Sequence, residues 1–86
     1  MKAVLVYKQA MDYSRQVDEY LHDFQKQTGK SPEILDPESP EGVSFTKAHD
    51  LWEFPAIVAL ADDGSVLNTW KGMPLPLINE LSYYVQ

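Results

Sequence analysis

An α/β fold with a four-stranded mixed sheet flanked by helices is predicted by three features of this 86-residue chain. Two are unbroken apolar runs of β-forming residues, Ala3-Val4-Leu5-Val6-Tyr7 and Ala56-Ile57-Val58-Ala59-Leu60-Ala61. Runs of this kind suit strands covered on both faces. The third is a helix-period pattern between them, with Tyr13, Val17, Tyr20, Leu21 and Phe24 recurring at the spacing of one helical face.

The elements follow in order. The first strand covers residues 3–7. Asp12 or Ser14 is placed to cap a helix that runs to Thr28, where Gly29 supplies a stop. Asp18, Glu19, Asp23 and Lys26 fall on its outer side. Ser31-Pro32-Glu33-Ile34-Leu35-Asp36 reads as a short second strand, with proline at its start where a missing donor is tolerated. The acidic, proline-rich stretch 37–42 reads as a loop, and a second helix is expected over residues 43–52 with Phe45, Ala48, Leu51 and Trp52 as its buried side. After the run 56–61, Asp62-Asp63-Gly64-Ser65 is a hairpin turn signal leading into Val66-Leu67-Asn68-Thr69-Trp70. So tight a turn makes the last two strands antiparallel. Gly72-Met73-Pro74 breaks the chain, and a closing helix over residues 75–85 carries Leu77, Ile78, Leu81 and Val85. The order is β-α-β-α-β-β-α, in a single domain spanning residues 1–86.

Composition narrows the function classes. With 44% hydrophobic residues the chain can bury a core. A domain of this size hides roughly 60–65% of its unfolded surface, which implies modest stability. A net charge of −6, with seven scattered basic residues, excludes a phosphate-tracking nucleic-acid surface. The apolar run 3–7 is too short for a signal or membrane segment, so no membrane association and a cytoplasmic location are expected. No cysteine is present, which removes disulfides, thiolate metal sites and thiol–disulfide exchange.

Three segments carry a resemblance. Val6-Tyr7-Lys8-Gln9-Ala10-Met11-Asp12-Tyr13-Ser14-Arg15-Gln16-Val17 resembles a glutaredoxin strand, active-site loop and helix. In it, Met11-Asp12-Tyr13-Ser14 stands where that family reads Cys-Pro-Tyr-Cys. Glu53-Phe54-Pro55-Ala56-Ile57-Val58 is similar to the cis-proline segment of thioredoxins and glutaredoxins. Asp62-Asp63-Gly64-Ser65-Val66-Leu67, followed by Trp70-Lys71-Gly72, resembles the family's turn, fourth strand and glycine loop. The resemblance to the thioredoxin-like superfamily implies a minimal thioredoxin-like fold and a cis Phe54–Pro55 bond. It also implies a binding surface of Met11, Asp12, Tyr13, Phe54, Pro55, Gly72 and Met73, where a bound strand pairs with the Phe54 backbone.

The departures set the expected function. Met11 and Ser14 hold the degenerate cysteine positions, so redox chemistry and thiolate-held clusters are lost, and no cofactor is expected. The family's acidic pair after the glycine loop is replaced by Met73-Pro74-Leu75. The glutathione-transferase signature Glu-Ser is absent near Asn68-Thr69.

Other chemistry has little footing. Ser14 or Tyr13 as a nucleophile lacks a placed base, because His22 and His49 lie elsewhere on their helices. Ser14 reads as a helix cap and Tyr13 as core or rim. Adjacent residues in His22-Asp23 and His49-Asp50 point apart on a helix, so they read as exposed pairs rather than metal ligands. Asp36, Glu38 and Glu41 form an acidic loop with the charge to attract Ca²⁺ or a basic partner, but they lack the glycine and terminal bidentate glutamate of a calcium loop and read as a solvated edge. Trp52 and Trp70 read as core anchors, with Trp52 fixing the proline segment. Met11, Phe54 and Met73 suit adaptable contacts. The expectation is a non-enzymatic module that binds an unknown protein or extended peptide. Two alternatives stay open: a homo-oligomerising structural domain that forms a homodimer, and a non-covalent binder of a glutathione-like small molecule.

Overall fold

In a computed structural model, which describes residues 1–86, seven elements follow in the order anticipated. They are β1 (Lys2–Val6), α1 (Ser14–Thr28), β2 (Glu33–Leu35), α2 (Pro40–Ala48), β3 (Ala56–Leu60), β4 (Val66–Lys71) and α3 (Ile78–Ser82). The sheet order is β2-β1-β3-β4, with β1 and β2 parallel and the other two pairings antiparallel. This four-stranded mixed sheet with three flanking helices is consistent with a minimal thioredoxin-like arrangement. No helix is long and apolar enough to cross a membrane.

Strand alternation divides the core into two layers. Ala3, Leu5, Tyr7 and Ile57 point to one face, where Val17 and Phe24 of α1 pack together with Leu81 and Val85. Val4, Val6, Ala56, Val58 and Leu60 point to the other, against Leu51, Phe45 and Phe54. Every residue of β3 is buried, as its unbroken apolar run requires. The β1–β3 register pairs Lys2 with Leu60 and Val6 with Ala56, so the centre of the sheet joins segments far apart in the chain.

Several element boundaries differ from expectation, each for a physical reason. The second helix begins three residues early, because Ser39 is its N-cap and Pro40 opens it. The Ser39 hydroxyl accepts from the Gly42 amide at 3.0 Å. It also ends at Ala48, because Asp50 takes φ +56° and turns the chain out of the helix. Ala48 is exposed, and Trp52 lies outside the helix with 70% of its surface exposed. Neither belongs to the buried side expected of them. Gly42 is where α2 meets the preceding loop, since a Cβ there would stand 1.7 Å from the Asp36 carbonyl oxygen.

The second strand is trimmed to three residues, and the closing helix to Ile78–Ser82, because Pro74 and Pro76 keep the chain before it non-helical. The cap of α1 is also corrected. Tyr13 occupies that position with no side-chain bond, and Ser14 instead donates to the Met11 carbonyl at 2.8 Å. Gly29 closes α1 in the left-handed conformation at φ +71°. His49 is half-buried and stacked on Phe45 with ring centroids 4.3 Å apart, so it is not the exposed residue expected.

Candidate functional site

The loop between β1 and α1 is tied down by tyrosines. Tyr7, buried at the end of the first apolar run, donates its hydroxyl to Asp18 of α1 at 2.8 Å and accepts from the Gln9 side chain at 2.9 Å. The Lys8 amide donates to the Tyr13 hydroxyl at 3.1 Å. Burial, reinforced by the hydrogen bond to Asp18, raises the Tyr7 phenol above its usual pKa, so it stays a neutral donor. Held in this way, the loop accepts Ala10 at φ +63°, a left-handed conformation that costs a non-glycine residue roughly 1–2 kcal/mol. Met11 is left 46% exposed beside it.

Across from this loop lies the segment before β3. The Phe54–Pro55 peptide bond is cis, and so is Met73–Pro74. Pro55 is fully buried and its carbonyl accepts from the Gly72 amide at 2.8 Å, which sets Gly72 and Met73 next to it. Gly72 has φ +75°, a left-handed conformation that favours glycine, and the movable end of the exposed Glu53 side chain lies beside it. The Phe54 N–H and C=O have no hydrogen-bond partner in the chain. Phe54 is half-buried, and its side chain packs on the core layer formed by Val4, Val6 and Val58.

Between the two segments runs an open groove of about 590 Å³, lined by Met11, Tyr13, Leu51, Trp52 and Phe54 with a polar end at Lys8 and Glu38. Lys8 and Glu38 pair at 3.3 Å. Of the residues anticipated from sequence, Met11, Tyr13 and Phe54 meet in this groove. Pro55 and Gly72, expected to be part of the binding surface, are buried beside it as supports held by their mutual hydrogen bond, and only Met73, 45% exposed, adds surface there. Asp12 is exposed and makes no hydrogen bond or ion pair. Trp52, Leu51 and Lys8 were not anticipated as site residues, and Glu38 was singled out only as part of the acidic loop. The exposure of Trp52 had no sequence signal, while Leu51 was legible only as an apolar residue expected to be buried.

Elsewhere, Trp70 is half-buried, donates its indole N–H to Glu80 at 3.2 Å and meets Tyr84 edge-on. His22 is exposed, and no group of three or more acidic or histidine side chains is placed to hold a metal ion. Comparison of the chain with family models, with curated proteins and with solved structures finds no match. What fold and site define together is a small α/β protein with a mixed four-stranded sheet and an apolar groove beside a cis-proline turn.

Proposed function

We propose that the chain is a redox-inactive, thioredoxin-like binding module that catalyses no reaction and captures an extended segment of another protein on its cis-proline face. The observation that carries this reading is the Phe54 backbone, whose free N–H and C=O border an apolar groove. An extended segment pairing with those two groups satisfies them as an added strand would, while its alternate side chains reach the groove and the Met73 rim. Met11 and Met73 suit such a surface because thioethers adapt to differently shaped side chains. Without a thiol, capture is non-covalent and reversible.

Selection of binders from a random peptide library, followed by amide shift mapping, tests this. A selected peptide is expected to move the Phe54 and Gly72 amides and to lose binding to the Phe54→Ala/Met73→Ala variant. Peptides that shift other regions, or that bind the double variant equally well, count against the proposal. Amide shifts at Phe54 on adding glutathione would favour the small-molecule alternative.

A further inference from the structure

The hairpin tip between β3 and β4 joins Asp63 to Gly64, both of them exposed. Aspartate followed by glycine is the pairing most open to cyclisation, because the second residue has no side chain to hinder its nitrogen. In that reaction the Gly64 nitrogen attacks Cγ of the protonated Asp63 carboxyl. A C–N bond forms, and the carboxyl OH departs as water with the amide proton. Water then reopens the five-membered imide. Addition at the Cγ carbonyl restores aspartate, whereas addition at the main-chain carbonyl leaves isoaspartate, with Cβ brought into the backbone. Space does nothing to prevent this here, since a Cβ built on Gly64 would meet no atom within 4 Å.

Hydrogen bonds hold both reacting groups instead. The Gly64 N–H donates to the Ala61 carbonyl at 2.9 Å. Asp63 Oδ1 accepts from the Ser65 amide at 2.9 Å and also from the Ser65 hydroxyl. Ser65 is itself fixed, because its carbonyl accepts from the Ala61 amide at 2.8 Å. Attack requires the Gly64 N–H to leave Ala61 and the Asp63 carboxyl to give up Ser65. It also requires the acid form of Asp63. The hydrogen bond from the Ser65 hydroxyl, ahead of that from the Ser65 amide, lowers the Asp63 pKa and keeps the carboxyl ionised. We propose that the Asp63–Gly64 bond is a latent isomerisation site, and that the Ser65 hydroxyl keeps it closed while the hairpin is formed. Conversion is gated by local opening of the turn, not by exposure of the bond. Isoaspartate lengthens the connection between Ala61 and Ser65, so the turn cannot re-form the same bonds.

Peptide mapping of the whole chain tests this, after warm incubation in buffer and in guanidinium chloride that unfolds it. The isoaspartyl peptide keeps its mass and separates from the aspartyl one by chromatography, and the imide is lighter by a water. In buffer, conversion at Asp63 is expected to be severalfold slower than in denaturant. Ser65→Ala, at an exposed position, should convert severalfold faster than the folded parent, and Ser65→Thr, which keeps a hydroxyl, at the parental rate. In denaturant the parent and both variants should convert alike. Equal rates for the folded and unfolded parent, or for folded Ser65→Ala and the folded parent, overturn the proposal. So does an acceleration in Ser65→Ala matched by an earlier unfolding midpoint, since general loosening of the fold would then account for it.

Discussion

Tyr20 and Tyr7 are phenols of the same core layer with opposite fates. Tyr7 finds an acceptor in Asp18, whereas the Tyr20 hydroxyl is buried without any partner. Burial, with the negative charge of Glu80 nearby, pushes the Tyr20 pKa up from 10.0 to about 12. The folded state therefore holds a proton that the unfolded chain releases near pH 10. Below that pH both states keep the proton and the linkage leaves stability unchanged; as pH rises from about 10 toward about 12 the unfolded chain ionises first and stability falls. Tyr20→Phe removes both the orphaned donor and the titration. We expect it to be more stable near neutral pH by about 1 kcal/mol, the scale of an unsatisfied buried hydroxyl. It should also lose stability less steeply above pH 10, as urea unfolding at several alkaline pH values would show.

At the scale of elements, β4 shows how an exposed edge strand is kept unattractive. The Gly72 amide bonds to Pro55, so by antiparallel alternation Trp70 and Asn68 aim their backbone groups at β3, while those of Thr69 and Lys71 face outward. The outward Thr69 N–H is taken by the neighbouring Asn68 side chain at 2.8 Å. A register shift at Ala59/Leu60 bends the strand, and Lys71 ends it with a charge. These are recognised ways of blunting an edge. The combined change Asn68→Thr and Lys71→Val is expected to give concentration-dependent self-association, visible by light scattering where the parent chain shows none. Elements with a periodic signature were legible in the sequence: the two apolar runs, the amphipathic α1 and the Asp-Gly hairpin. The second helix was misplaced because Ser39-Pro40-Glu41-Gly42 has the composition of a loop and the geometry of a helix start. Its far end was overrun because Leu51 and Trp52 extend an apolar pattern that the turn at Asp50 has already broken.

Over the whole molecule, the fold was more legible than the site. Met11, Tyr13 and Phe54 could be singled out from local pattern, but the groove they share also takes walls from Pro37, Thr46 and Leu51, and only the folded chain brings these segments together. Asp12 carried no structural role that its neighbours in sequence could reveal. The same long-range assembly has a kinetic side. The pairing of Lys2–Val6 with Ala56–Leu60 closes a loop of most of the chain, whereas α1 and the β3–β4 hairpin form from local contacts. Non-local pairing slows folding, to the range between fast helical bundles and slow β-sandwiches. Stopped-flow chevrons should show Val58→Ala mainly slowing folding and Phe45→Ala, on the outlying α2, mainly speeding unfolding. During synthesis the apolar first strand therefore emerges long before its antiparallel partner, and it must wait, unpaired on that side, until Leu60 has been made.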